Sequence, residues 1–280
     1  MSFPQSMSPI ETQIDKIEAL PPFPMLGNIL KSFLVADNDG DIRPLISNIE
    51  AEPSISAKVI GLSNSAIFGS SGQIKTIRDA TARLGLVQLK SIVYSLVLSS
   101  RFKSTQCPHF DIGRFWLFSM LQACCARITN MYTKYNTTLD KNVLYAIGLL
   151  QRIGILALVD IYPQEMNEIF AADDEGGLSH HERLLFGADH YEVGTALLKH
   201  WQLPEPFITV LQHYNTPEYT GEYCEIIWIL KRSKEIALYG ADIQNTELDA
   251  KIGLDESSLC IILNQLECEA SWIRSFAAHL

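Results

Sequence analysis

Ala146-Ile147-Gly148-Leu149-Leu150-Gln151-Arg152-Ile153-Gly154-Ile155-Leu156 sets one adjacent polar pair, Gln151 and Arg152, inside an otherwise apolar stretch punctuated by two glycines. A helix that is apolar on all sides is a buried helix. Gly148 and Gly154 have no side chain, so other helices can approach closely there. Such a stretch presents two polar side chains into an internal cleft. Arg152 brings a permanent positive charge and donors without an acceptor, and Gln151 a neutral amide oxygen. Neither suits a divalent cation as imidazole and carboxylate do. The pair reads as a site without a metal.

Around this stretch apolar residues recur at three and four, with no alternating strand pattern, so the chain is predicted to be all-α. Pro21, Pro22 and Pro24 open a helix to about Val35, Asp41 caps a helix to about Glu50, and Pro53 starts the next in its first turn. After a loop from Gly69 to Gly72, helices run over Ile77 to Leu84 and Val87 to Arg101, broken at Gly85. Leu89, Val93, Leu96 and Val97 line one apolar face. Polar composition with Pro108 and Gly113 marks 104–113 as a hinge. Beyond it, Phe115, Phe118, Leu121, Cys125, Ile128 and Tyr132 lie at helical spacing.

One helix is then expected to carry Gln151 and Arg152, from near Thr138 to before Pro163. The acidic stretch Asp173 to Gly177 lacks the alternate-position ligands of a calcium loop and reads as a solvated connection. Ser179 followed by Glu182 ahead of Leu184-Leu185-Phe186 fits a capping box at a helix start. Further helices are expected over Tyr191 to Trp201, Pro204 to Tyr214, Tyr223 to Tyr239 and Asp255 to the C terminus. Leu259, Ile262, Leu263, Leu266 and Trp272 of the last either cover the core or offer a stripe to a partner.

The central stretch resembles the Gly-Leu-Leu-His-Asp-Ile-Gly signature of the HD superfamily of metal-dependent phosphohydrolases, with Gln151 at the His position and Arg152 at the Asp position. From about Leu20 to Tyr214 the chain resembles one branch of that superfamily, the HDOD (HD-related output) domain of bacterial signalling proteins. Leu20-Pro21-Pro22-Phe23-Pro24 is similar to its proline-rich start. Ile55 to Gly69, with Leu62-Ser63-Asn64-Ser65-Ala66-Ile67-Phe68-Gly69 at its end, resembles the next block, and Ile77-Arg78-Asp79-Ala80 to Leu84-Gly85 the one after. Gly187 to Gly194, Trp201-Gln202-Leu203-Pro204 and His213-Tyr214 follow in the same order.

The resemblance implies an all-α, HD-domain-like multi-helix bundle with an N-terminal helical subdomain. The boundaries are an N-terminal extension over 1–19, an N-terminal subdomain over 20–103, the hinge over 104–113, and a degenerate HD-like subdomain with C-terminal helices over 114–280. It also places Phe118 at the first metal-ligand position, Tyr214 in place of the second His of a His-His pair, and Ser233 near the closing Asp. A phenyl ring cannot ligate. Only His190 and His213 survive as ligand types, and two isolated imidazoles rarely hold a catalytic divalent metal. No metal and no other cofactor are expected.

The formal charge of −10, from 32 acidic and 22 basic residues, disfavours binding to a phosphate backbone, which depends on Lys and Arg displacing counterions. No nucleic-acid partner is expected. The start Met1 to Gln13 lacks the basic and apolar regions of a secretory signal, and the longest apolar run, Ile153 to Val159, is short for a membrane helix. A cytoplasmic protein without a membrane association is expected. The six cysteines have no paired zinc-type spacing and read as reduced.

Two readings of Arg152 stand side by side. In one it binds a small anion such as a phosphate or carboxylate. In the other, which is favoured, it pairs with an acidic residue such as Asp189 or Glu192, since buried charge must be paired. His190 and His213 read more readily as hydrogen-bonded histidines than as a residual metal site, and His180, His181, Cys124 and Cys125 are assigned no chemistry. Asn64 and Ser65 are expected to bond backbone locally at a helix end. Gln151, Arg152, His190, His213 and Tyr214 are thus the candidate ligand-binding residues. The function expected is that of a non-catalytic signalling or scaffold protein acting through protein contacts or a small anionic ligand. The alternative is a metal-dependent phosphohydrolase of nucleotides or cyclic nucleotides.

Overall fold

The computed structural model describes residues 41–65, 68, 72–100, 106–135, 139, 141–172, 177–240 and 246–278. The helix expected to open at Pro21, the segment 69–71 and the acidic residues 173–176 lie outside them. Among the described residues there is no strand, and the helices are α1 (Arg43–Glu50), α2 (Pro53–Ser63), α3 (Ile77–Leu84), α4 (Leu86–Ser99), α5 (Ile112–Asn130), α6 (Lys141–Leu150), α7 (Ile153–Ile161), α8 (Pro163–Ala171), α9 (Leu178–Phe186), α10 (His190–His200), α11 (Glu205–His213), α12 (Cys224–Tyr239), α13 (Thr246–Ile252) and α14 (Glu256–Ala277). By contacts they fall into two compact units. One holds 106–111 and Leu150–Glu222, and the other holds 41–100, Ile112–Leu149 and 223–278. This grouping crosses the sequential boundaries at 103 and 113, because α1 to α4 share a unit with α5 and the C-terminal helices.

In the larger unit the ends of α1 to α4 follow local chemistry. The Asp41 carboxylate accepts from the backbone N–H and the guanidinium of Arg43, which hold it at about 2. Pro53 occupies the first turn of α2. Gly85, with φ +79°, separates α3 from α4, and the two helices bend by 118° across it. The amide of Asn64 reaches beyond its own helix end: Nδ2 donates to the Ile74 carbonyl at 2.8 Å and Oδ1 accepts from the Ile74 N–H at 2.7 Å.

The apolar face expected for α4 at Leu89, Val93, Leu96 and Val97 is buried, and burial extends around the helix. Every residue from Leu89 to Leu98 is buried, Lys90, Ser91 and Ser95 among them. Ser91 and Ser95 satisfy themselves by donating to carbonyls four residues back, so a polar residue can occupy an enclosed side without a stripe to announce it.

α5 forms the axis of this unit, packed by α12 and α14. A Cβ on Gly148 would lie 3.0 Å from the Ala123 Cα, so α6 rests on α5 through that glycine. α14 uses Ile262, Leu266, Trp272 and Ile273 to cover the core. Cys124 and Cys125 are buried in α5, and burial pushes their thiols up to about 12 and about 11. Thiolate is the reactive form. With an aromatic disulfide reagent at pH 8, the exposed Cys260 and Cys268 are expected to label in the native protein, and Cys124 and Cys125 only after denaturation.

The helix expected to run unbroken through Gln151 and Arg152 is interrupted at that pair. Arg152 adopts φ −102° and ψ 15°, and its carbonyl accepts from Ile155 three residues on. Each segment follows its own partners: α6 meets α5 and α12 at Gly148, and α7 meets α10 at Gly154. Val143–Ile161 is apolar enough by length and composition to cross a membrane, but 83% of it is buried within the fold, as a core helix is.

Candidate functional site

In the smaller unit, α10 packs against α7 on one side and α11 on the other, and α8 joins α7 to α9. α9 ends at Gly187, whose φ of +73° stops the helix, and the chain restarts two residues later. That restart is the capping box of this region. Asp189 Oδ1 accepts from the backbone N–H of Tyr191 and of Glu192, each at 3.0 Å, while Glu192 Oε2 accepts from the Asp189 N–H at 2.9 Å.

The box expected at Ser179 and Glu182 does not form. α9 begins at Leu178 after Gly177, so Ser179 already lies within the helix and no side chain caps it. Glu182 is fully buried instead. Its Oε2 accepts from the His190 N–H at 2.9 Å and lies 2.6 Å from His190 Nδ1.

The remaining oxygen of Asp189 is also engaged. Oδ2 accepts from Arg183 Nε at 3.1 Å and Nη2 at 2.9 Å, and from Asn215 Nδ2 at 2.9 Å. Arg183 also reaches Glu192 at 3.3 Å. Arg183, a partner absent from the sequence reading, meets both Asp189 and Glu192. Arg152 is half-buried, and its charge is felt at the Tyr191 hydroxyl. Burial raises that phenol well above its ordinary range, and Arg152 opposes the rise.

The Tyr191 and Tyr214 rings stack at 4.6 Å, and the His190 and Tyr191 rings lie 4.1 Å apart. His213 turns to a different neighbour, stacking on Tyr219 at 4.2 Å. The smaller unit thus joins His190 to Tyr214 through Tyr191, with Arg152 within electrostatic reach and His213 on its own ring contact. Gln151 is buried in the same unit. Phe118 and Ser233 belong to the larger unit, where Phe118 is buried on α5 and the Ser233 hydroxyl donates to the Ile229 carbonyl.

Glu182 Oε1, His190 Nε2 and Tyr191 Oη are buried without a hydrogen-bond partner. A buried polar group left unsatisfied costs about 1–3 kcal/mol, and these three lie on α9 and α10. A divalent metal is a poor fit to this set of side chains. The described residues contain no group of three or more His, Cys, Asp or Glu able to hold a metal ion, and in the smaller unit amide and guanidinium stand at Gln151 and Arg152. In the sequence Glu182 reads only as the partner of Ser179 in a capping box, and its contact with His190 is tertiary.

Comparison with known proteins gives a consistent fold. An uncharacterised protein of Treponema pallidum (strain Nichols) is 26% identical over 221 residues, covering 76% of this chain and 41% of that protein, so the chain spans less than half the relative's length. A protein of Marinobacter aquaeolei VT8 provisionally assigned to signal transduction superposes with a TM-score of 0.75 at 20% identity, over 98% of this chain and 62% of its own. A provisionally assigned phosphohydrolase of Shewanella amazonensis SB2B gives 0.69 at 23% identity, over 95% and 97%. At these identities the structural likeness is one of fold. The HDOD domain model matches residues 20–217, and on that match over most of its length the chain belongs to the HDOD domain family.

Proposed function

We propose that this protein is a non-catalytic signal-transduction or scaffold module of a bacterial cell, acting through protein contacts or a small anionic ligand near Arg152, its ancestral metal chemistry lost. The observation that carries this reading is the donor set: Phe118, Gln151 and Arg152 stand where the family resemblance puts metal ligands. Of the two imidazoles that the resemblance leaves, His190 turns Nδ1 to Glu182 and His213 stacks on Tyr219, so they do not form a pair with a carboxylate between them. The acidic net charge leaves nucleic acid out of this reading.

Glu182 holding His190 by Nδ1 is also how metal-ligating histidines are oriented. That contact favours, as a second reading, a metal-dependent phosphohydrolase of nucleotides or cyclic nucleotides. Purified protein incubated with Mn or Mg and then desalted is expected to retain well under one ion per chain by elemental analysis. It is also expected not to turn over a panel of phosphomonoesters and phosphodiesters. Stoichiometric metal, or a turnover abolished in the His190→Ala, His213→Ala double variant, selects the second reading.

A further inference from the structure

We infer that the cleft between α1 and the start of α3 is a binding site for a small zwitterion, an α-amino acid, with its carboxylate at Arg78 and its ammonium at Glu50. The cleft belongs to the larger unit and involves neither Arg152 nor His190. It has a volume of about 430 Å³ and is lined by Arg43, Ile46, Ser47, Glu50, Thr76 and Arg78. Sites for small molecules span about 300–1,000 Å³, so the space suits a ligand of that class.

Two walls of the cleft are held by bonds of their own. Arg43 donates Nε and Nη2 to the Asp41 carboxylate at 2.8 and 2.9 Å. The Thr76 hydroxyl donates to Asp79 Oδ2 at 2.7 Å and accepts from the Asp79 N–H at 3.1 Å, while the Asn64 amide clamps Ile74 just before it. Arg78 and Glu50 are different. Among the described residues neither side chain makes a hydrogen bond or an ion pair, with the other or with a third group, and the Ser47 hydroxyl is uncommitted as well. Opposite charges that share one cleft without pairing are complementary to a ligand bearing both signs on one carbon. Guanidinium receives a carboxylate through two parallel bonds, and a carboxylate accepts from an ammonium. Buried Ile46 offers apolar contact to the ligand's side chain. A simple anion meets repulsion from Glu50 and a simple cation from Arg78, so each charge selects against half of the alternatives. Both charges are exposed and screened by water, which keeps the expected affinity in the millimolar range.

The test titrates the full chain at pH 7 with L-alanine, with isobutyrate, which has a methyl in place of the ammonium, and with isopropylamine, which has one in place of the carboxylate. NMR amide shifts at Ser47 and Arg78 are expected to report binding. L-Alanine is expected to bind about tenfold more tightly than either isostere, the factor that one hydrogen bond to a charged group corresponds to. Arg78→Gln is expected to bring L-alanine down to the affinity of isopropylamine, and Glu50→Gln to that of isobutyrate. Both residues are exposed, so these variants keep the fold. Absence of shifts at the cleft, or L-alanine binding that neither variant weakens, overturns the site. Isobutyrate or isopropylamine binding as tightly as L-alanine overturns the zwitterion. None of these outcomes bears on the proposed role of Arg152, which lies in the other unit.

Discussion

Gly154→Ala is expected to destabilise the protein by ~3 kcal/mol or more, read as a fall in the midpoint of urea unfolding. A Cβ at this position would stand 1.9 Å from the His190 carbonyl oxygen, 2.6 Å from the Gly194 nitrogen and 2.8 Å from the His190 carbonyl carbon. All three are backbone atoms, so no rotamer change relieves the overlap, and α7 and α10 must separate. The loss is a sizeable part of the ~5–15 kcal/mol that holds a domain folded. The same displacement moves His190 relative to Glu182, so the site is expected to loosen with the fold. Gly194→Ala supplies the contrast. Its Cβ would meet Leu211 Cδ2 at 3.2 Å and the Gly154 nitrogen at 3.3 Å, a tight but smaller intrusion. A Gly154→Ala protein that unfolds at the wild-type midpoint would contradict the close crossing of these helices.

Asp249→Ala is expected to cost about 3–5 kcal/mol, the range for removing one partner of a buried ion pair. Arg232 on α12 has a fully buried side chain. Its Nε donates to Asp249 Oδ1 at 2.6 Å and its Nη2 to Asp249 Oδ2 at 3.2 Å, while Nη1 reaches Glu235 at 3.2 Å. The truncation leaves a buried guanidinium with less compensating charge. Replacing both partners by apolar residues, Arg232→Met with Asp249→Leu, is expected to recover most of the loss, because the desolvation cost of the cation disappears with it. Thermal unfolding of the two single variants and the double variant measures this coupling. Simple addition of the single losses in the double variant would show that the ion pair does not anchor α13 to α12.

The legible parts of the fold were those written in local chemistry. Gly148 and Gly154 were identified as points of close helix approach, and the backbone meets at both. Pro53 and Gly85 mark helix boundaries where proline lacks an N–H to lose and glycine tolerates positive φ. The family blocks read from Leu20 to Tyr214 agree with the HDOD match over 20–217. The capping boxes show where such reading fails. Asp189 with Glu192 and Ser179 with Glu182 have the same spacing, and only the first caps a helix. Gly187 ends one helix and forces a restart at Asp189, whereas α9 has already begun before Ser179.

The site divides along the same line. Helical spacing alone pointed to an all-α chain, and the resemblance of its sequence blocks pointed to the HDOD family and implied that Phe118, Gln151 and Arg152 stand at metal-ligand positions, a reading open to sequence because donor chemistry belongs to a residue wherever it lies. Which acid meets which base was decided by the tertiary structure. Asp189 goes to Arg183 and Asn215, Glu182 leaves its apparent capping role for His190, and His213 stacks on Tyr219. A hydrogen bond depends on ångström-scale placement of groups that packing brings from different helices, and no pattern along a single helix contains that distance.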